Sequence, residues 1–406
     1  MNRLLVSVAC LGSFLGSPLR ADEVDPAKSK VAVEALKNGD SAKFATTPLT
    51  KADASKALDI LVKRRLAEVK KDREAEVKAK RIEIGDLKMP FAYKVFGEKP
   101  KSGRSLFLSM HGGGGAPARV NDQQYENQKG LYKPAEGVYL APRAPTNTWD
   151  LWHQSHIDAF FERLIEDMVV FEGVDRDRVY LMGYSAGGDG VYQIAPRMAD
   201  RFGAASMMAG HPNETVPLGL RNIPFAIHVG ANDSAYNRNK IGGEWGVKLD
   251  ELQKSDPEGY VHHVEIHPGR AHWMNLEDAS AVPWMAGFTR NPVPKKVVWH
   301  QDDVTHDRFY WLAVPAGQAK ARSTVVVSVD GQEIKIEKAE GVAKLVLMLD
   351  DRLVDLDKPV KVTASGKTLF EGMVPRTIAN LEATLKGPGD PKLAFSGEVT
   401  VTLPLE

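Results

Sequence analysis

The feature that most constrains this chain is the pentapeptide Gly-Tyr-Ser-Ala-Gly at residues 183–187. A short apolar segment, 178–182, comes directly before it and is typical of a strand, and a helical stretch runs from it toward Met198. Glycines are needed in such a tight strand-to-helix turn, because side chains there would clash with neighbouring elements. The turn exposes the serine hydroxyl at the carboxyl edge of a sheet, beside the start of a helix. We therefore predict that Ser185 is a nucleophile.

Strands and helices alternate on both sides of this turn. The predicted strands are short apolar runs at 105–110, 137–141, 178–182, 204–209, 224–229 and 260–266. Between the second and third, apolar residues from Ile157 to Val169 recur at helical spacing. This alternation predicts an α/β fold with a doubly wound, mostly parallel sheet that helices cover on both faces.

A serine hydroxyl is a weak nucleophile unless a base takes its proton, so a histidine is expected nearby. His272 lies in a loop just past the last predicted strand, from which its side chain can reach over the serine. His267, at the immediate end of that strand, is the alternative. His262 and His263 lie within the strand. We therefore favour His272 as the general base.

The acidic partner is expected in the loop after the preceding strand. That loop, 230–234, contains Asp233, whose carboxylate can orient a histidine and stabilise its charged form. An aspartate in a loop is more often a turn residue. The order serine, acid, histidine along the chain nevertheless favours a catalytic function for Asp233.

Four consecutive glycines follow His111 at the end of an early strand. Glycines let the backbone turn its N–H groups toward a developing negative oxygen, and each such donor is commonly worth about 3 kcal/mol. We predict an oxyanion hole formed by Gly113, Gly114 and Ala186. A flexible loop is the alternative; a phosphate-binding loop is disfavoured because no Lys-Ser or Lys-Thr follows.

Aromatic residues near the predicted site are candidates for contact with substrate. They are Trp152, Tyr184 and Trp273. Aromatic rings can stack on sugar rings or aromatic acyl groups, and ordinary core packing is the alternative for the tryptophans.

Charge and histidine spacing exclude several other functions. Lys and Arg together number 53, as do Asp and Glu, so the net charge is zero and lacks the basic excess of proteins that bind nucleic acid or anionic membranes. No pair of histidines has the spacing of a helical zinc motif. We therefore predict no metal, no cofactor and no nucleic-acid partner.

The first 21 residues are predicted to be a signal peptide. Arg3 is followed by an apolar run from Leu4 to Gly16, and the small residue Ala21 offers a cleavage site. The run is shorter than the roughly 20 residues that span a bilayer, and a buried N-terminal helix is the alternative. The mature protein is therefore expected to be exported, to the periplasm or the medium, without a membrane span. Cys10, the only cysteine, lies in this segment, so no disulfide is expected.

Three regions are predicted beyond the signal peptide. A charged helical extension covers 22–82, with Thr50 as a helix cap. The α/β domain covers 83–293. Short segments rich in β-branched residues and separated by turn signals then predict an all-β, sandwich-like domain at 294–406, which is a candidate for carbohydrate contact.

The motifs resemble those of the α/β-hydrolase superfamily, and within it the secreted esterases similar to poly(3-hydroxybutyrate) depolymerases and feruloyl or acetyl-xylan esterases. The resemblance rests on segments 112–115, 174–188 and 201–210. It implies a serine esterase that works through an acyl-enzyme on polysaccharide-linked or polyester substrates, with Ser185, Asp233 and His272 catalytic. A serine peptidase of the prolyl-oligopeptidase type, or a non-catalytic binding protein on the same scaffold, remains an alternative.

Overall fold

Two helices open the part of the chain that the structure describes. The structure is a computed structural model describing residues 24–403, so the predicted signal peptide lies outside the described residues. Helix α1 spans Pro26–Asn38 and α2 spans Lys51–Ala79. Thr50 caps α2 as predicted, since its hydroxyl accepts a hydrogen bond from the Asp53 N–H at 3.2 Å. No helix within residues 24–403 combines the length and apolar character needed to cross a bilayer.

An eight-stranded sheet forms the centre of the next region. Its strands are β1 (Arg81–Ile84), β2 (Leu87–Phe96), β3 (Arg104–Met110), β4 (Gly137–Pro142), β5 (Val174–Tyr184), β6 (Ala204–Met208), β7 (Phe225–Gly230) and β8 (His262–His267). The helices of this region are α3 (Ala118–Gln128), α4 (His156–Glu172), α5 (Ala186–Arg197), α6 (Arg238–Ser255) and α7 (Ala281–Ala286). The strand order is β1-β2-β4-β3-β5-β6-β7-β8. Six of these strands are parallel to one another: β3, β4, β5, β6, β7 and β8. The predicted, mostly parallel α/β sheet is therefore confirmed.

One edge of the sheet was not anticipated from the sequence. Strands β1 and β2 form an antiparallel hairpin, and β2 pairs antiparallel with β4. The hairpin turns through Gly85 and Asp86, and Gly85 has a φ of +58°. A Gly-Asp pair between two strands is a recognised signal for a two-residue hairpin turn, because such turns need positive φ.

Two further sheets occupy the C-terminal region. The strands are β9 (Lys296–His300), β10 (Arg308–Phe309), β11 (Leu312–Ala313), β12 (Thr324–Asp330), β13 (Glu333–Glu340), β14 (Lys344–Leu349), β15 (Val360–Ala364), β16 (Lys367–Gly372) and β17 (Gly397–Thr402). One sheet has the order β16-β15-β13-β12-β9 and the other β10-β11-β14-β17. Buried side chains of both sheets belong to one apolar cluster, including Val327 and Leu347.

The expectation that this region is all-β is wrong in one respect, because it contains helix α8 (Ile378–Lys386). The Thr377 hydroxyl caps α8 by accepting from the Asn380 N–H at 3.2 Å. Ile378, Leu381 and Leu385 recur at helical spacing and are buried. The cap and the spacing together explain why this segment forms a helix rather than a strand.

The N-terminal extension packs against both of the other regions. Leu61 of α2 shares an apolar cluster with Leu381 of α8. Arg65, also on α2, donates two hydrogen bonds of 2.8 Å to the carboxylate of Glu166 on α4. Helix α2 therefore connects the parallel sheet's helices to the C-terminal region, whereas the domain boundaries at 82/83 and 293/294 stay predictions.

Candidate active site

The serine turn has the strained geometry that the pentapeptide predicts. Ser185 lies between β5 and α5 with φ 58° and ψ −122°, a conformation that non-glycine residues rarely adopt. A Cβ at Gly183 would lie 2.2 Å from the Gly187 carbonyl oxygen, and a Cβ at Gly187 would lie 2.2 Å from that of Met110. Both positions therefore require glycine, because the obstructing atoms are backbone atoms.

Ser185, His272 and Asp233 lie in one hydrogen-bonded line. The Nε2 atom of His272 is 2.9 Å from the Ser185 hydroxyl oxygen, and its Nδ1 atom is 2.8 Å from Oδ2 of Asp233. Asp233 follows β7 and is buried, whereas the His272 side chain, in the loop after β8, is 43% exposed. The arrangement leaves one face of the imidazole open to a ligand at the serine.

The loop that carries Asp233 is held on several sides. The Asp233 N–H donates to the Gly230 carbonyl at 3.0 Å, and the Asn239 N–H donates to the Asp233 carbonyl at 3.1 Å. The guanidinium of Arg238 lies 3.9 Å from Oδ1, the carboxylate oxygen that does not face His272. These contacts fix the direction of the carboxylate toward the histidine.

The glycine loop after β3 borders the serine. Gly113 and Gly114 have φ of +112° and +118°, which favour glycine, and a Cβ at Gly112 would lie 3.1 Å from that of Ser185. The Gly114 N–H donates to the Asn121 side-chain oxygen at 3.0 Å. The N–H groups of Gly113 and Ala186 have no acceptor within residues 24–403. Of the three predicted oxyanion donors, Gly114 thus already has a partner, and two remain free.

Asn121 is a residue of this site that the sequence did not reveal. Its side chain is fully buried, and its amide donates back to the Gly114 carbonyl at 3.1 Å and to the Asn147 side-chain oxygen at 3.0 Å. Nothing in the local sequence marks it, because an asparagine on α3 acquires this position only when the helix packs beside the glycine loop.

His111, which directly precedes the glycine loop, and Trp152 are buried beside that loop. Burial lowers the pKa of His111 to about 4, so the ring is neutral near pH 7. Its Nε2 accepts from the Ala144 N–H at 3.1 Å, and its backbone carbonyl accepts from the Trp152 indole at 2.9 Å. Trp152 is fully buried, which corrects its prediction as a substrate contact. Core packing, the alternative, applies to this tryptophan.

A cavity of about 590 Å³ opens above the serine. Its lining comprises Gly112, Gly113, Gln124, Asn127, Gln128, Leu131, Tyr184, Ser185, His272 and Trp273. Trp273 is 48% exposed, and its ring lies 5.6 Å from that of Tyr184. The Tyr184 hydroxyl donates to the His272 carbonyl at 2.7 Å and accepts from the Met274 N–H at 3.0 Å. Both aromatic residues therefore border the cavity, and Tyr184 also holds the backbone of the His272 loop.

The other candidate histidines lie elsewhere. His267 is buried at the end of β8, with its Nε2 atom 3.2 Å from Nδ1 of His228. His262 projects from the other face of β8 toward Asp250, at 3.1 Å. Among these histidines, only His272 has a hydrogen-bonding nitrogen within reach of the serine hydroxyl in the described residues.

Comparison with known proteins gives a partial match. No family model matches the chain. The bifunctional acetylxylan esterase/xylanase XynS20E from Neocallimastix patriciarum is 30% identical over 142 residues, which are 34% of this chain and 20% of that protein. The chain therefore matches only about a fifth of the length of this curated relative.

Several solved structures align with about half of this chain at low TM-scores. A thermostable esterase is 16% identical and covers 52% of this chain and 62% of its own, with a TM-score of 0.40. The feruloyl esterase module from Clostridium thermocellum is 14% identical over 51% of this chain and 86% of its own, with a TM-score of 0.36. Est1E from Butyrivibrio proteoclasticus is 12% identical over 51% of this chain and 97% of its own chain, with a TM-score of 0.35. With its parallel sheet and the matched segment, the chain resembles esterases of the α/β-hydrolase type.

Proposed function

We propose that this chain is a serine carboxylic ester hydrolase in which Ser185 is the nucleophile, His272 the general base and Asp233 the orienting carboxylate. The observation that carries the proposal is the pair of contacts of 2.9 Å and 2.8 Å that joins the three side chains. A serine that donates to an imidazole, itself oriented by a carboxylate, is the arrangement that activates a hydroxyl for attack on an acyl carbon.

The reaction proceeds through an acyl-enzyme. His272 takes the hydroxyl proton as Ser185 attacks the ester carbonyl, and the oxyanion accepts hydrogen bonds from the N–H groups of Gly113 and Ala186. The imidazolium returns that proton to the departing alkoxide, which leaves as the alcohol. Water, deprotonated by the same imidazole, then attacks the acyl-enzyme and releases the acid and the free serine.

Esters attached to polysaccharide are the proposed substrate class. The cavity is lined by an exposed aromatic residue, Trp273, and by two amide residues, Gln124 and Asn127. An aromatic face can cover the apolar side of a sugar ring, while amides donate to and accept from its hydroxyls. Polyesters are the alternative, and a carbohydrate contact through the C-terminal sheets stays part of the proposal.

Export is also proposed, on the strength of the apolar segment at the start of the chain. N-terminal sequencing of protein secreted by a host that carries the full gene tests it. A mature chain that begins near residue 22 in the periplasm or medium supports export, and an uncleaved cytoplasmic chain contradicts it.

Hydrolysis of p-nitrophenyl acyl esters and of acetylated and feruloylated xylan tests the activity. Ser185→Ala should abolish turnover, because the residual catalysis of such sites without a nucleophile is about a million-fold lower. The matched control is Ser255→Ala, at an exposed serine whose hydroxyl donates to the Leu252 carbonyl at 2.8 Å. A folded wild-type protein that cleaves amides but no ester would favour a peptidase, and one that cleaves neither would favour a binding protein.

A further inference from the structure

One face of the edge strand β8 carries three metal-ligating side chains. His263, Glu265 and His267 alternate along the strand, and residues two apart in a strand project from the same face. The neighbouring parallel strand β7 adds His228, which pairs with Glu265 in the register of the sheet. Four residues with imidazole or carboxylate groups therefore meet on one patch of the sheet.

The spacing of the ligand atoms fits a small tetrahedral cation. Nδ1 of His228 lies 3.2 Å from Nε2 of His267 and 3.6 Å from Oε2 of Glu265. One ligand atom from each of these three residues lies within 4.8 Å of the others. Zinc–nitrogen and zinc–oxygen bonds of about 2.1 Å at tetrahedral angles place neighbouring ligand atoms about 3.4 Å apart. The two separations from Nδ1 of His228 bracket that value.

The facing nitrogens of two buried histidines can both bind one cation. His228 and His267 are at most 2% exposed. Only one proton fits between their facing nitrogens, whereas a cation accepts the lone pairs of both. The remaining nitrogen of His267, Nδ1, lies 3.5 Å from Oε2 of Glu277. A carboxylate behind a ligating histidine is the usual outer partner in zinc sites.

An entry path leads to the cluster from solvent. The side chains of His263 and Glu265 are 43% and 42% exposed, and Nε2 of His263 lies 3.6 Å from Oε2 of Glu265. Three protein ligands with an open side leave room for water, or for His263 after a change of rotamer, as the fourth ligand.

We propose that His228, Glu265 and His267 form a structural site for a divalent transition metal of the zinc type. The cation fastens edge strand β8 to β7. Asp233 lies in the loop after β7 and His272 in the loop after β8, so the metal braces the pair of strands that positions both. The proposal does not depend on the ester hydrolase function. The sequence missed the site because helical zinc motifs have a different spacing, and because His228 is distant from β8 along the chain.

Calorimetric titration of untagged, EDTA-treated full-length protein with Zn²⁺ tests the site. The wild type should bind one equivalent, and Co²⁺ in its place should give visible absorption bands of a four- or five-coordinate ion. Glu265→Gln should weaken binding by at least about 10-fold, the loss that even an outer-sphere partner causes. Because Glu265 is partly exposed, this variant tests the site even where His228→Ala fails to fold.

Two matched variants separate this site from other histidines. His262→Ala removes a histidine from the opposite face of the same strand, and His272→Ala removes the one beside Ser185. Both should bind Zn²⁺ with wild-type stoichiometry and affinity. The proposal is overturned if the wild type shows no Zn²⁺ binding in the calorimetric titration. It is also overturned if Glu265→Gln binds like the wild type, or if His272→Ala alone abolishes binding.

Discussion

At the scale of single residues, the buried side chain of Asn121 determines the shape of the glycine loop. It accepts from the Gly114 N–H and donates to the Gly114 carbonyl, at 3.0 and 3.1 Å. Gly114, with a φ of +118°, would otherwise have wide conformational freedom. The direction of the free N–H of Gly113, one residue earlier, therefore depends on a residue outside the loop.

Asn121→Ala is expected to lower kcat by about 100-fold with a much smaller change in KM. The physical reason is that a misdirected oxyanion donor loses transition-state stabilisation, for which a single donor is commonly worth about 3 kcal/mol. Steady-state kinetics on a p-nitrophenyl ester provides the measurement. Arg119→Ala, at an exposed position of the same helix, is the control and should keep the wild-type kcat. An unchanged kcat in Asn121→Ala would show that the loop holds its shape alone.

Asp189, one turn into α5, makes stability depend on pH. Burial raises the pKa of Asp189 to about 6, against the opposing hydrogen bond from the His211 N–H at 2.6 Å. Since the folded pKa is higher than the unfolded value of 3.8, the stability that this carboxyl contributes is present below pH 3.8 and is lost as the pH rises through about 6. Asp189→Asn should therefore be more stable than the wild type near pH 8, by up to about 3 kcal/mol.

Urea unfolding of both proteins near pH 8, 6 and 4 measures this effect. The advantage of Asp189→Asn should shrink as the pH falls, because the wild-type carboxyl becomes protonated and the two side chains become equivalent in charge. The same advantage at every pH would mean that Asp189 is not the group responsible.

The residues of the candidate site differ in how visible they are in the sequence. Ser185, Asp233 and His272 each follow a parallel strand, and a parallel sheet places the ends of its strands along one edge. The local sequence pattern was therefore enough to predict these three residues, which hydrogen bonds join in the structure. The prediction of Trp152 as a substrate contact is wrong, and Asn121 is not predicted at all. Both failures arise because packing between separate segments determines the environment of these residues. A single sequence gives no signal for such contacts.

At the scale of elements, close backbone contacts lock α5 against the sheet. A Cβ at Gly187 would meet the Met110 carbonyl carbon at 2.7 Å as well as its oxygen at 2.2 Å. Helix α5 can therefore approach β3 only where it has no side chain. The serine turn depends on this approach, because Ser185 directly precedes the first residue of the helix.

Gly187→Ala is expected to destabilise the fold by at least about 3 kcal/mol, the upper range of overpacking costs. Gly243→Ala is the matched control, because this glycine lies in α6 and, apart from its chain neighbours and the helix backbone, no atom of residues 24–403 comes within 4 Å of an added Cβ. It should stabilise the protein by about 1 kcal/mol, since alanine is the better helix former. Equilibrium unfolding in urea measures both changes. A small effect of Gly187→Ala would contradict the tight contact between α5 and β3.

The central strands were predictable and the peripheral elements were not. Strands β3, β4, β6 and β7 are 5 to 7 residues long and mostly apolar, and a buried parallel strand produces that pattern directly. Strand β2 has a mostly half-buried or exposed pattern, so its apolar signal is weak. The chain reverses between β10 and β11 at Tyr310, whose φ is +54°. A backbone reversal at a bulky residue arises from tertiary packing and has no local sequence signal.

At the scale of the whole molecule, buried ion pairs join the parallel sheet to the C-terminal region. The guanidinium of Arg290 lies 2.8 Å from Asp177 of β5 and 2.7 Å from Asp390, and all three residues are buried. Although burial opposes ionisation, the charges of Arg290 and Arg176 hold the pKa of Asp390 well below its usual range. The cluster unites positions more than 200 residues apart in sequence, so no sequence pattern could have shown it.

Removing one carboxylate from this cluster should lower the free energy of unfolding of the whole molecule. Asp390→Ala leaves the buried guanidinium of Arg290 with one fewer counter-charge, and breaking a buried pair in this way costs about 3–5 kcal/mol. Glu340→Ala, which breaks an exposed 2.9 Å pair with Lys338, is the control and should cost less than about 1 kcal/mol.

Scanning calorimetry measures the change and also tests cooperativity. Helix α2 packs on both α4 and α8, and the buried ion pairs join the same two regions. If either region unfolded alone, buried charges and apolar surface of the other region would become exposed. Wild-type protein should therefore unfold in one transition, and Asp390→Ala should lower the Tm of that transition without splitting it. Two separate transitions in the wild type, of which Asp390→Ala shifts only one, would show that the C-terminal region unfolds independently.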